Sequence, residues 1–363
     1  MEGFLLHLSL FPCMRLHLDN TGLDVKFFPL TSIKKFEDLR TGLFSFKERW
    51  LKLAEKQNYP LEIIDDSTKA DKTFPSNFIP SADLQLTDFF DKNSHLKDAF
   101  IHIEKLWHLT NENINLLKSD IDLLNLNLFN DRNASIQQTG KNPLFIHQTA
   151  RIEHCHVDSS DGPVVIDEDA HVMSGAMLRG PIYIGKKAVV KMGATLYSGT
   201  NIGHQCTIGG EVKNSIFHSF SNKAHHGYIG DSYIGSWCNL GAGTTGSNLK
   251  NTFGPIRIWE NALGQYSDGP TKAGVYMGDH VKTAINTSFS SGTVISSFVN
   301  IFTQKNLPVP KYVHLFSWGI DDQKFYDLEK LLVEMRRWMK MKDQNLSSNE
   351  REAIISLYKS HIK

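Results

Sequence analysis

The side chains best suited to chemistry in this sequence lie between Glu211 and Asn248. Histidine has an unperturbed pKa of about 6.5, so His225 can accept a proton from a reacting group at neutral pH. Lys213 can hold a phosphate or carboxylate by charge. The run Gly241–Gly243 lets a ligand lie close to the backbone, because larger side chains would hold it away. These residue types together indicate proton transfer beside a bound anion.

Each of these residues also has a purely structural explanation. His225 and its neighbour His226 could lie in a surface turn, and Lys213 could be a solvated charge. Tyr228 could fill a corner of a repeating fold, and Asn239 could form an amide ladder with a neighbouring strand. The residue types by themselves leave both explanations open.

A six-residue repeat of aliphatic side chains predicts the fold that must position these groups. The repeat runs without a miss through the following residues: Ile166, Val172, Leu178, Ile184, Val190, Leu196, Ile202 and Ile208. Neither the helical nor the strand period explains this spacing. It is typical of a parallel β-helix, in which each short strand contributes one inward aliphatic side chain.

The repeat is predicted to continue beyond Ile208 with one irregularity. Two extra residues lead to the next steps, which fall on Ile216, Asn222, Tyr228, Ile234 and Leu240. It lapses in the Gly/Asn/Ser/Thr-rich stretch 246–273, which we expect to form a binding wall beside the solenoid. The repeat resumes at Met277, and we expect Pro308 and Pro310 to end it.

Three units are predicted along the chain: an α/β domain over 1–142, the β-helix over 143–308 and a helical segment over 309–363. The α/β domain contains neither GxGxxG nor GxxxxGK[ST], the glycine-rich loops that bring backbone N–H groups to a phosphate. In the last unit, Ser347 and Glu350 form the pattern of a capping box at the start of a helix.

Charge and cysteine content exclude several classes of partner. Lys+Arg and Asp+Glu number 39 each, so net charge gives no reason to expect nucleic acid or an anionic membrane. Four widely spaced cysteines without a CxxC pair indicate reduced thiols in a cytoplasm. The apolar opening, 3–13, is too short to span a membrane and lacks the marks of an export signal. The start of the chain could be Met1 or Met14.

The segment 213–248 resembles the acetyltransferase domain of bifunctional N-acetylglucosamine-1-phosphate uridyltransferase/glucosamine-1-phosphate acetyltransferase, the GlmU type. A gapless alignment implies that His225 is the catalytic base and that Lys213 binds the sugar phosphate. It also implies that Tyr228 and Asn239 bind the substrate. The positions implied to contact acetyl-CoA are Ala242 and Asn248.

Further motifs resemble a shorter, GlmU-like bacterial sugar nucleotidyltransferase family. They are Phe28-Pro-Leu-Thr, Leu39-Arg-Thr-Gly, Phe46-Lys-Glu-Arg-Trp, Leu106-Trp-His-Leu, Ser221-Asn-Lys-Ala-His and Phe316-Ser-Trp-Gly. This resemblance implies a left-handed β-helix, a homotrimer and a nucleotidyltransferase-like first domain. It also implies acetyl-CoA as co-substrate and an amino-sugar phosphate or a nucleotide amino sugar as acceptor. The implied role is the synthesis of nucleotide sugars, such as UDP-N-acetylglucosamine, and of cell-envelope precursors. Mg²⁺ is implied only if the first domain is active.

The sequence departs from the family in both halves. Ser32–Lys35 stands where the family has an Arg-Pro pair, and the GxGTRM signature of the full-length enzymes is absent. In the acetyltransferase half, Tyr197 replaces an arginine that helps bind the sugar phosphate, and Leu249 replaces a tyrosine. The departures in the first half concern the ability to transfer a nucleotidyl group. Those in the acetyltransferase half concern which sugar is the acceptor.

Two other functions stay open at this point. A non-catalytic protein that binds a nucleotide sugar or scaffolds a trimer would bind acetyl-CoA without turnover, or not at all. A γ-type carbonic anhydrase uses the same solenoid and binds zinc through three histidines, and eight of the 16 histidines lie between 147 and 226. That chemistry needs converging imidazoles, and the H-x4-H element of the carbonic anhydrases is absent.

Overall fold

The computed structural model describes residues 12–91, 99–130, 133–303, 308–322 and 324–362. The opening segment 3–11 lies outside these ranges. A parallel β-solenoid follows an N-terminal α/β region and precedes two helices, which confirms the predicted fold class.

Three sheets form the faces of the solenoid within the described residues. Face 1 contains Phe129–Asn130, Leu144–His147, Val164–Ile166, Ile182–Ile184, Thr200–Ile202, Ile216–Phe217, Tyr233–Ile234, Val275–Met277, Thr293–Ile295 and Tyr312–Val313. Face 2 contains Arg151–Ile152, His171–Val172, Val189–Val190, Thr207–Ile208, Asn222–Lys223, Asn239–Leu240, Lys282–Thr283 and Asn300–Ile301. Face 3 contains Ile136–Thr139, Cys155–Asp158, Met177–Arg179, Thr195–Leu196, Glu211–Lys213 and Tyr228–Gly230, beside which lies the pair Thr245–Gly246 and Ser288–Phe289.

One regular turn of the solenoid takes three hexapeptides. Val164 pairs in parallel with Ile182, and Ile182 pairs with Thr200, so each coil advances by 18 residues. The aliphatic residues of the repeat from Ile166 to Ile208 are at most 1% exposed and form one continuous core. Each contributes on the order of 1.5–3 kcal/mol by leaving water. Three short strands per coil are consistent with the left-handed β-helix that the resemblance implies.

The predicted register is wrong between Ile216 and Tyr228. The inward positions are instead Val212, Phe217, Lys223 and Ile229. Two steps are short: the turn at Gly209–Gly210 separates Ile208 from Val212 by four positions, and Val212 precedes Phe217 by five, whereas each step from Ile166 to Ile208 spans six. Because side chains alternate along a strand, a one-residue shift moves Tyr228 from the core to the outer surface.

The prediction that the prolines end the solenoid is wrong by one strand. Tyr312–Val313 pairs in parallel with Val294–Ile295, and Val309 packs into the core beside Val313. Proline lacks an N–H donor but is tolerated just outside a ladder. Pro308 and Pro310 therefore precede the last strand rather than follow it.

The N-terminal region contains a three-stranded parallel sheet in the order Leu61–Ile63, Met14–Asp19, Lys72–Pro75. Two hairpins accompany it: Arg40–Thr41 with Phe44–Ser45, and Phe78–Pro80 with Phe100–His102. The helices are α1 (Leu23–Lys26), α2 (Phe46–Gln57), α3 (Leu86–Phe90), α4 (Leu106–Asn111) and α5 (Asn113–Ser119). The segment 25–28 begins within α1 and contributes no strand.

The Leu39-Arg-Thr-Gly motif docks this region on face 1. The backbone N–H of Arg40 donates to the Tyr233 hydroxyl over 3.1 Å. Asn201 Nδ2 donates to Asn113 Oδ1 over 2.9 Å, and Asn113 Nδ2 donates to the Gly199 carbonyl over 2.7 Å. The central strands Ile182–Ile184 and Thr200–Ile202 of face 1 are therefore buried on both sides, by the solenoid core and by the N-terminal region.

Lys34, in the segment that replaces the family's Arg-Pro pair, also contacts the solenoid. Its Nζ lies 2.9 Å from Asp279 Oδ1 and 3.0 Å from Ser236 Oγ. The Asp279 side chain is only 3% exposed, so this ion pair is largely removed from water. The departure from the family thus has a structural use in joining the two regions.

Two helices follow the solenoid: α6 (Leu328–Lys340) and α7 (Ser348–His361). The capping box that begins with Ser347 is confirmed. Both helices pack against buried aromatic residues of the last coils, among them Phe298 and Phe316. Within the described residues, no helix has the length and apolar character needed to cross a membrane.

Candidate active site

Face 3 brings Tyr228 and Lys213 onto one outer surface. The strand Tyr228–Gly230 pairs with Glu211–Lys213, so that Tyr228 lies opposite Glu211 and Gly230 lies opposite Lys213. A β-carbon at Gly230 would lie 2.2 Å from the phenolic oxygen of Tyr228. The tyrosine ring therefore lies across Gly230, beside the strand position of Lys213, and no larger residue fits beneath it.

Asp231 joins the side chains around Tyr228. It is 7% exposed and accepts hydrogen bonds from Asn214 Nδ2, over 2.7 Å, and from Asn248 Nδ2. The Asn248 side chain also hydrogen-bonds the Tyr228 hydroxyl. Burial, helped by the negative charges of Asp231 and Glu211, raises the pKa of Tyr228 to about 12. The phenol is therefore protonated at neutral pH and can donate a hydrogen bond.

His225 lies in the turn 224–227, which joins face 2 to face 3. Its side chain is exposed, and it precedes Tyr228 by three residues. The turn stacks directly on the next coil: Gly243 N donates to the His226 carbonyl over 3.1 Å. Gly227 has a φ of +118°, and a β-carbon there would lie 2.1 Å from the Thr244 carbonyl oxygen. Only glycine permits this close stacking.

The turn that carries Ala242 is the neighbour of the His225 turn along the solenoid axis. The Ala242 carbonyl accepts from Asn286 N over 2.7 Å, which ties it to the following coil. Gly243 has a φ of +76°, and a β-carbon there would meet Asn286 Oδ1 at 2.1 Å. The predicted base and the predicted acetyl-CoA position thus lie on adjacent coils at one corner.

Asn239 is not brought to this surface within one chain. It lies on face 2, where it pairs with Asn222 and Lys282. Tyr228 and Lys213 lie on face 3, across the corner that carries His225. In the described part of the chain, no group of three or more His, Cys, Asp or Glu side chains is arranged to hold a metal ion.

Two polar residues to which the motifs assign no role support this surface: Asp231 and Lys223. Asp231 follows Tyr228 by three residues, yet its partners are 17 positions away on adjacent coils. Lys223 occupies an inward position and donates from Nζ to the Gly209 and His225 carbonyls, over 2.9 and 3.0 Å. A search that allowed for the shortened turn at Gly209–Gly210 would have placed Lys223 at an inward, buried position.

We expect Lys223 to make the stability of the protein pH-dependent. Burial lowers the pKa of its amine from 10.5 to about 8, so the unfolded chain binds more protons than the folded one between those values. The free energy of unfolding should therefore rise from pH 8 to 10.5, by about 3 kcal/mol from this group. Urea unfolding across this range should show the rise in the wild type and lose that part of it in Lys223→Met.

Parts of the chain are similar in sequence to known bifunctional enzymes. A scan against protein-family models finds no match. The chain is 32% identical over 144 residues to a bifunctional sugar-1-phosphate nucleotidylyltransferase/acetyltransferase of Sulfurisphaera tokodaii, which is 39% of this chain and 35% of that protein. It is 36% identical over 113 residues to a bifunctional protein GlmU of Methanocaldococcus jannaschii, or 31% of this chain and 26% of that protein.

A solved structure, the UDP-N-acetylglucosamine acyltransferase of Arabidopsis, is similar over 60% of this chain and 88% of its own, with 14% identity and a TM-score of 0.23. The chain spans about a third or less of the length of the two bifunctional relatives described above. Over that part, the similarity to these two proteins confirms the resemblance that the motifs indicate: the chain is similar to GlmU-type bifunctional nucleotidyltransferase/acetyltransferases.

Proposed function

We propose that this protein is an acetyl-CoA-dependent N-acetyltransferase that acts on an amino-sugar phosphate or a nucleotide amino sugar. The observation that carries the proposal is the cluster of Tyr228, Asn248 and Asp231 on face 3, next to the turn of His225. The adjacent turn, 241–243, consists of small, partly exposed residues. The similarity to GlmU-type proteins supports the same reaction class.

The mechanism follows from what acyl transfer requires. The acceptor amine attacks the thioester carbonyl, and His225 takes the proton that the amine loses. The C–S bond then breaks, CoA leaves with a proton, and an amide bond remains on the sugar. A backbone N–H of the glycine-rich turns supplies the donor for the oxyanion. Lys213 holds the phosphate of the acceptor, and the protonated Tyr228 donates a hydrogen bond to it or to the sugar.

We further infer a homotrimer, which the resemblance implies, because one chain leaves the site incomplete. Asn239, an implied substrate residue, lies on face 2, whereas Tyr228 and Lys213 lie on face 3. A second copy whose face 2 lies beside face 3 of the first would unite these residues. Size-exclusion chromatography with light scattering should therefore give about three times the monomer mass; a monomer that transfers acetyl groups would contradict this inference.

We infer that the N-terminal region is nucleotidyltransferase-like. Mg²⁺ would be needed only if this region catalyses nucleotidyl transfer. The residues of its Leu39-Arg-Thr-Gly motif make docking contacts with face 1, and Lys34 pairs with Asp279. These contacts give the motifs a structural use that does not need turnover. Pyrophosphate release from UTP and a sugar 1-phosphate, with and without Mg²⁺, tests whether the region also catalyses nucleotidyl transfer.

The test of the proposed function is release of free CoA by the wild type. Acetyl-CoA is supplied with glucosamine 1-phosphate, or with UDP- or dTDP-linked amino sugars, and the free thiol is measured over time. We expect release that depends on one of these acceptors. Acetyl-CoA binding without release, or no binding, would favour the alternative of a non-catalytic nucleotide-sugar-binding or scaffolding protein.

Asp231→Ala should lower kcat/KM for acetyl transfer by about tenfold or more, because the orientation of Asn248 and Tyr228 is lost. The same steady-state assay measures it. Asp161→Ala removes an exposed carboxylate elsewhere on the solenoid and serves as the matched control. Equal rates for Asp231→Ala and this control would show that the hydrogen bonds of Asp231 do not position the site.

A further inference from the structure

Lys223 stands in a row of core positions that are otherwise uncharged. The other buried inward residues of face 2, from coil to coil, are Val172, Val190, Ile208, Leu240, Thr283 and Ile301. Lys223 is 1% exposed and follows Ile208 in this row. A buried ammonium group costs free energy unless its N–H groups are hydrogen-bonded, so its presence needs a reason.

The amine ties together two adjacent turns. Its Nζ donates to the Gly209 carbonyl over 2.9 Å and to the His225 carbonyl over 3.0 Å. A β-carbon at Gly210 would lie 2.7 Å from Nζ, so this glycine leaves the space that the amine occupies. Hydrogen bonds from a charged donor are stronger than those between neutral groups. The lysine thus cross-links the shortened turn to the turn of His225.

Three other turns at this corner close by a backbone hydrogen bond within the turn. The Met173 carbonyl accepts from Ala176 N, that of Lys191 from Ala194 N, and that of Gly241 from Thr244 N, each three residues on. Among the described residues, no backbone N–H closes the turn 224–227 in this manner. The hydrogen bond that the structure shows to the His225 carbonyl comes from Lys223.

We propose that Lys223 is a positioning residue, whose ammonium group fixes the backbone of His225 and thereby aims its imidazole at the acceptor. This inference rests on the proposed function, because it gives the lysine a part in the same reaction. Lys223 does not touch the substrate. It holds the His225 carbonyl in a turn that, among the described residues, lacks the backbone hydrogen bond of those three turns, and the shortened neighbouring turn makes room for its amine.

Lys223→Met tests the inference, because methionine fills a similar volume and removes both hydrogen bonds. We expect kcat for acetyl transfer to fall about tenfold or more, while KM for acetyl-CoA and acceptor changes less than about threefold. Ile208→Met, at the neighbouring position of the same row, is the matched control and should keep kcat within about twofold. A kcat for Lys223→Met equal to that of the control would overturn the inference.

A second measurement does not depend on activity. Amide hydrogen exchange at Glu211 and Gly243, whose N–H groups donate to the Gly227 and His226 carbonyls of this turn, should become about tenfold faster or more in Lys223→Met and stay unchanged in Ile208→Met. If the wild type transfers no acetyl group, the proposed function fails, and this readout still decides whether Lys223 fixes the turn. Unchanged exchange would overturn the inference. If Lys223→Met does not fold, Lys223→Gln, too short to reach both carbonyls, replaces it with the same expected result.

Discussion

Replacing His225 with alanine should lower kcat for acetyl transfer by about a hundredfold or more, as loss of a general base predicts. The attacking amine must lose a proton as the amide forms, and His225 supplies the imidazole at the corner between faces 2 and 3. Its side chain is exposed, so truncation removes little packing and the fold should persist. Steady-state release of CoA with the best acceptor measures the effect.

His226→Ala is the matched control for this prediction. His226 is also exposed, and its contact with the next coil is made by its backbone carbonyl, which alanine keeps. We expect its kcat to stay within about threefold of the wild type, since a surface side chain away from the reaction contributes little. Equal losses in both variants, or no loss in His225→Ala, would remove His225 from the role of base.

Asp120→Ala should lower the free energy of unfolding by about 3–5 kcal/mol, because it leaves a buried guanidinium without its partner. Arg49 and Asp120 are each 1% exposed, and Asp120 accepts from Arg49 Nε over 3.2 Å and from Arg49 Nη2 over 2.5 Å. It also accepts from Leu43 N over 2.8 Å, which anchors the loop that docks on face 1. Urea unfolding at neutral pH measures the change.

Asp122→Ala, two residues away and exposed, is the control for that measurement. Surface substitutions of this kind usually change stability by less than about 0.5 kcal/mol. A loss in Asp120→Ala no larger than in this control would mean that Arg49 finds water or another partner. The ion pair would then not hold the docking loop.

The architecture was predictable because one physical rule repeats along the chain. Each coil must place aliphatic side chains inward, so the spacing from Ile166 to Ile208 reveals the solenoid directly. The register beyond Gly209 was not predictable from the same rule. Steps of four and five residues on either side of Val212 reset the register, and the next inward residue of face 2 is Lys223, which no search for aliphatic positions can find.

The candidate site was predictable in part. The motifs named His225, Tyr228 and Asn248, and the fold brings these to one corner and the face beside it. They could not name Asp231 as the common hydrogen-bond partner, because its contacts cross between coils that the sequence does not align. The motifs near the start imply a nucleotidyltransferase-like region, and they could not show that Arg40 and its neighbours contact Tyr233 and other residues of face 1.

The most direct test of acyl transfer is to follow an isotope-labelled acetyl group from acetyl-CoA to an amino sugar. Wild-type protein, labelled acetyl-CoA and the acceptors named above are incubated together, and the products are separated and identified by mass spectrometry. The account predicts an N-acetylated sugar that forms in equal amount to the CoA released. Label that stays on CoA with every acceptor, or appears only as free acetate, would contradict it.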